Sequence, residues 1–238
     1  MALTYTTWLA QLANLMVQDA TDTNFLTFVP GCIDYAEQRM YRELDLQVSR
    51  VIDTSGTMTI NSQQFTLPTA QGVFVVVEQI NIFSPAGTTG ATGSRIPLIP
   101  VTKEFINAAW PSNSSNTGTP QWFAPVSNTL YLFAPSPDAQ YSTEVVGTIR
   151  PAPLSSTNTT TFLTTYLPDA FMAASMVFAT GYQRDFGSQS DNPQASASWE
   201  DQYTKLMASA SMEELRKRFM GAAWQPMTPS PVATPPRV

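Results

Sequence analysis

The chain has 238 residues, of which 43% are hydrophobic, enough for one large domain or two small ones. Only 13% are charged, about half the usual share of roughly 25%, and the formal net charge is −6. That balance speaks against a protein that grips nucleic acid, since phosphate binding needs clustered Lys and Arg; it leaves room for a channel through which DNA slides without specific binding.

Taken in chain order, Thr6 to Gln18 reads as an amphipathic helix, with Trp8, Leu9, Leu12, Leu15 and Met16 on one stripe. Asp19 to Asn24 is a polar connection, and Phe25 to Phe28 a short helical turn. Pro30 fits the first turn of a second helix, where its missing N–H costs nothing. Val29, Ile33, Ala36, Met40 and Leu44 line the buried face of that helix, and Asp34, Glu37, Arg39 and Glu43 point away from it.

From Val48 the period changes to that of strands. Val48 to Asp53, Gly56 to Ile60 and Gln64 to Leu67 are short strands, and Val73 to Phe83 carries the strongest strand signal. Pro85 to Ser94 holds three glycines and reads as a hairpin tip or loop. Ile96 to Val101 contains two prolines and belongs at an edge. Thr102 caps a short helix, Lys103 to Trp110, which Pro111 ends. After a polar loop, Gln121 to Val126 and Thr129 to Ala134 form a hairpin across Ser127-Asn128, and Tyr141 to Arg150 is a last alternating strand. No charged side chain lies between Asp53 and Glu78 or between Glu104 and Asp138. Two readings fit this gap: a surface that meets other subunits, or a Ser/Thr/Asn/Gln-rich surface solvated without charge.

Helices return near Leu167. Leu167 to Phe186 is apolar nearly all round, which predicts a central, buried helix. Asn192 caps the next helix, with Pro193 at its first position and Ala195, Trp199, Tyr203, Leu206 and Ala210 on its inner face. Ser211 and Glu214 make a capping-box pattern, so the helix is expected to break and restart there, with Leu215 and Phe219 continuing the apolar stripe. From Gln225 the prolines preclude regular helix, and the tail is extended. The expected fold class is α+β: an antiparallel helical bundle built from both chain ends, with an inserted β-rich lobe. Its expected divisions are 1–47 (N-terminal helices), 48–154 (β lobe), 155–220 (C-terminal helices) and 221–238 (tail).

Little of this carries catalytic chemistry. There is no histidine, which removes Ser-His-Asp and Cys-His catalysis and most transition-metal sites. The one cysteine, Cys32, lies among apolar helix positions as a small buried residue. Gly87, Gly90 and Gly93 lack the Lys-Ser/Thr of a phosphate loop. A glycosidase needs two carboxylates in a cleft, and Asp19 with Asp22, Glu200 with Asp201 and Glu213 with Glu214 are pairs close in sequence. Each also has a structural reading, the last as acids in a helix first turn. No cofactor or metal is expected. The N-terminus has no secretory pattern, and the longest apolar run falls well short of the ~20 residues of a membrane span. The chain is therefore expected to be made in the cytoplasm, with no membrane partner, and the sequons at Asn113 and Asn158 are chance matches. Arg216, Lys217 and Arg218 cluster at a helix C-terminus, where the dipole or an acidic partner explains them equally. Trp224, Met227 and Val232 are apolar residues in a tail with no core of its own, and Arg237 lies near its end.

Two motifs carry a resemblance. The first is Phe28-Val29-Pro30 followed by Ile33 to Leu46, with Tyr35-Ala36-Glu37-Gln38-Arg39-Met40-Tyr41-Arg42-Glu43 at its centre. The second is Leu167-Pro168-Asp169-Ala170-Phe171 followed by Trp199-Glu200-Asp201-Gln202-Tyr203. Their order around a β insertion resembles the head-to-tail adaptor family of tailed, especially short-tailed, bacteriophages. The resemblance implies a virion protein forming a ring, usually of twelve copies, beneath the portal protein. Such a ring extends the DNA channel and gives tail nozzle or tail fibre proteins a platform. By the same likeness the C-terminal segment is a portal-binding arm, with Arg216, Lys217, Arg218, Trp224, Met227, Val232 and Arg237 as its contacts. Two alternatives stand beside it: a virion-associated cell-wall hydrolase using paired carboxylates, and a tail nozzle component of similar layout.

Overall fold

The computed structural model describes residues 3–111, 116–182 and 193–222, with 182, 193–196 and 218–222 described in their backbone alone. Two helices open the chain: α1, Tyr5–Met16, and α2, Thr23–Glu43. Thr4 caps α1 in a reciprocal box with Thr7, and Asp22 caps α2 by accepting the Asn24 N–H. The helical turn and the helix expected on either side of Pro30 are one helix, with Pro30 inside it. An internal proline forfeits one backbone hydrogen bond. Here the unbroken stripe of Phe25, Val29, Cys32, Ile33, Ala36 and Met40, all buried, outweighs that loss.

The chain closes with α4 (Phe162–Tyr166), α5 (Pro168–Tyr182) and α6 (Pro193–Ala222). The turn of helix α4 escaped the sequence reading; Thr161 caps it. As expected of a helix apolar nearly all round, α5 lies at the centre of the bundle and packs against α1, α2, α4 and α6. Phe171 meets Trp8, and Phe178 stacks on Phe28 and Tyr35. The Trp8 indole N–H donates to Ser175 Oγ at 3.3 Å. The two chain ends thus share one apolar core, from Leu3 to Ala210. The expected break at Ser211 does not occur, for α6 runs through it. Ser211 Oγ donates to the Ala208 carbonyl within the helix, and Glu214 faces a different partner. The continuation of the α5 helix to Phe186, the Asn192 cap, the Ala195 and Phe219 side chains and residues 112–115 of the polar loop lie outside the described residues.

Between the helices, a turn of 3-10 helix, Gln47–Ser49, leads into β1 (Arg50–Asp53). There follow β2 (Gln64–Thr66), β3 (Val73–Ser84), β4 (Ser94–Pro97), β5 (Ile99–Pro100), helix α3 (Lys103–Ala109), β6 (Thr117–Gly118), β7 (Trp122–Pro125), β8 (Leu130–Ala134), β9 (Ser136–Pro137) and β10 (Thr143–Arg150). One sheet has the order β1-β10-β3-β4, a second β2-β8-β7-β5, and β6 pairs with β9 in parallel. The stretch from Ile96 to Val101 is an edge, as its prolines require, but an edge of both sheets: it leaves one as β4 and joins the other as β5, with Leu98 buried at the crossing. Thr102 caps α3 as its position implies. The β7–β8 hairpin closes over Ser127, whose Oγ accepts the Thr129 and Leu130 N–H groups. The expected strand from Gly56 to Ile60 shrinks to one bridge, Thr57 to Ser142. A second apolar core, including Phe65, Phe74, Ile80, Ile82, Phe123, Phe133 and Val145, fills the space between the two main sheets. Among the described residues no helix is long and apolar enough to cross a membrane.

Candidate assembly interface

The two sequence motifs face each other across the bundle. Tyr35, Arg39 and Glu43 lie one turn apart on α2, and Glu200 and Tyr203 lie opposite on α6. Arg39 grips Glu200 with both terminal nitrogens, Nη1 at 2.8 Å and Nη2 at 2.5 Å, and donates from Nε to Glu43 at 2.9 Å. Its guanidinium also lies 4.1 Å from the Tyr203 ring centre, and the Tyr203 hydroxyl donates to Glu43 at 2.8 Å. Arg39 holds the Glu200 carboxyl below its ordinary range, while burial pushes the Tyr203 phenol up. This hub clamps the long last helix onto the second. Sequence reading pointed Arg39 away from the buried stripe of its helix; the motifs that carry the resemblance are spent on each other.

Two further acids differ from their expected places. Glu37, read as solvent-facing, is 5% exposed and accepts the Leu154 N–H at 2.9 Å. Burial, then the neighbouring Asp34, push its carboxyl up to about 7, against the pull of that N–H. Glu214, read as a first-turn acid, sits deep within α6, accepts the Gln47 N–H at 3.2 Å and receives the Lys217 ammonium at 2.7 Å. Spacing held the signal for both. Glu37 lies four residues after Ile33, and Glu214 four after Ala210, so each falls on a buried stripe.

The other paired carboxylates also have structural partners. Asp19 accepts the Thr21 N–H and hydroxyl, which hold its carboxyl below its ordinary range. Asp201 pairs with Lys205 and Glu213 with Lys217. Cys32 is fully buried, and burial pushes its thiol up to about 12, which leaves it unreactive. Among the described residues no group of His, Cys, Asp or Glu has the arrangement of a metal site.

What the chain does present is apolar surface. On the outer face of the first sheet, cross-strand rows join Arg50, Thr148 and Val76, then Ile52, Val146 and Gln79. Ile52, Val73, Val75 and Val76 are each more than half exposed. Register shifts insert Val75 and Glu78 as extra residues in β3. Towards the sheet's other end the same face is polar: Glu144 is buried, held by Asn81 and Arg95 at 2.7 Å each. Of the sequence-predicted arm residues, Arg216 and Lys217 are exposed on the last turns of α6. Lys217 is engaged by Glu213 and Glu214 and lies over the Phe162 ring, so the basic cluster is partly neutralised within the chain. The Arg218 side chain and Trp224, Met227, Val232 and Arg237 lie outside the described residues.

A search of the curated proteins finds none that matches. The family model described as SU10 adaptor protein, by contrast, matches residues 3–230. That match spans both helical ends and the whole β insertion, and the chain belongs to the SU10 adaptor protein family, a family of phage head–tail adaptors.

Proposed function

We propose that this chain assembles as a ring, of twelve copies by analogy with such adaptors, between the portal protein and the tail. The ring extends the DNA channel and gives nozzle or fibre proteins a platform. The family match over residues 3–230 carries this reading, since it supports a structural adaptor in the neck of the virion. The exposed valine and isoleucine face supports contact between subunits, because a row of half-exposed aliphatic residues on a sheet gains by being covered. The net charge of −6 suits passage of DNA without retention. The chain is made in the host cytoplasm and joins the virion there. The segment from Gly221 to Val238 is the portal arm, with Trp224, Met227, Val232 and Arg237 as its contacts beside Arg216, Lys217 and Arg218 of α6. Ordering such an arm costs entropy, which many shared contacts offset. The acid pairs a hydrolase would draw on have structural partners, and no observation favours a nozzle. Deleting Gln225 to Val238 tests the arm: the melting transition stays in place and portal binding weakens. Unchanged portal binding would refute the arm's role.

A further inference from the structure

The β lobe joins the bundle through two passages, an outgoing one from Leu44 to Arg50 and a returning one from Arg150 to Leu154. Leu44, Leu46 and Leu154 are buried in the helical core and pin the bundle side of each. One buried carboxylate latches each passage by a backbone N–H: Glu214 of α6 holds Gln47, and Glu37 of α2 holds Leu154. Beyond those pins the packing is open. Grooves of about 340, 540 and 450 Å³ flank the junction. Ser49 and Ile149 lie at two of them, and Arg150 and Pro151 also at two. The Tyr41 hydroxyl is buried beside the junction with no hydrogen-bond partner. Two anchored ends, two polar latches and empty space around the chain between them describe a joint rather than a welded core.

We infer that this junction is a hinge on which the β lobe rotates against the bundle, about residues 47–50 and 150–153, with Glu37 and Glu214 as its latches. The Glu37 latch responds to protons. Around it stand Asp34 and Tyr41 on its own helix, the Leu154 N–H on the returning passage, and Arg150 from β10, which lines the same groove. Closed, Glu37 binds its proton with a pKa of about 7; swung open into water it returns towards 4.5. The closed state therefore holds the proton more tightly, so acid favours closure and rising pH favours opening. Between pH 5 and pH 8 the closed-to-open ratio falls by roughly 70-fold.

Hydrogen exchange on the full chain reads this directly. Corrected for the pH dependence of exchange itself, protection of Leu154 falls by tens of fold from pH 5 to pH 8. Gln47, whose N–H faces Glu214 and not Glu37, falls in step, and at every pH both exchange faster than Ile80, which is fully buried in β3 and opens only on global unfolding. A Glu37→Gln variant flattens the pH dependence at both sites. Loss at Leu154 alone would mean a local titration, and protection at Leu154 and Gln47 equal to that at Ile80 would mean that lobe and bundle unfold together; either overturns the hinge. The wild-type series alone decides this if the variant fails to fold.

Discussion

Removing the Arg39 guanidinium should loosen α6 from α2 by an amount the geometry sets. Arg39 is largely buried, with 17% of its side chain exposed, while Glu200 is 43% exposed. A charge-assisted hydrogen bond contributes about 1.5–3 kcal/mol and the cation–π contact to Tyr203 about 1 kcal/mol. Solvent at Glu200 discounts the ionic part. Arg39→Ala is therefore expected to cost about 2–3 kcal/mol in urea or thermal unfolding, a fall in Tm of roughly 4–10 °C for a chain of this size. Single substitutions also disturb packing, so the decisive assay is a double-mutant cycle with Glu200→Ala. The predicted coupling is about 1 kcal/mol. Arg39→Lys, which keeps the charge but not the fork, should recover less than half of it. A coupling within about 0.3 kcal/mol of zero would mean that the pair is incidental, and the reading of the two motifs as a clamp would fall.

Three other outcomes follow from the same structure. Phe171→Ala empties a fully buried site against Trp8 and should cost about 3–5 kcal/mol, measured by urea unfolding; a cost below about 1 kcal/mol would contradict the shared core of the two chain ends. Glu37→Gln removes a carboxyl whose pKa rises from 4.5 to about 7 on folding. The contribution of Glu37 to stability is therefore full below about pH 4.5 and is lost, by up to about 3 kcal/mol, as pH climbs through 7, so the variant should gain on the wild type between pH 5 and pH 8; parallel stability curves would refute the assignment. Val76→Asp on the exposed sheet face should change the stability of the lone chain by less than about 1 kcal/mol yet reduce assembly on portal rings, and undiminished assembly would exclude that face from the subunit contact.

Local chemistry made much of this architecture legible. The caps at Thr102 and the Ser127 turn act where their side chains point, and the apolar girth of α5 correctly put it at the centre. What escaped depends on tertiary context. Pro30 and the Ser211–Glu214 pattern are local stop and start signals, and both are overridden by continuous buried stripes. Glu37 and Glu214 were misplaced because a carboxylate reads as solvent-facing until the backbone N–H that receives it is known. The strand expected from Gly56 to Ile60 found a single bridge, since pairing depends on a partner far away in sequence. The hub of Arg39, Glu200 and Tyr203 was half visible: its residues formed the motifs, but only the fold brings them together.

The proposed role stands or falls with assembly on the portal. Mass photometry of the purified chain, alone and mixed with portal rings from the same virus, tests it most directly. Portal-templated assembly gives a particle near the mass of one 26.0 kDa chain by itself, and a ring of many copies added to each portal in the mixture. A chain that stays monodisperse and adds no mass to the portal would contradict it.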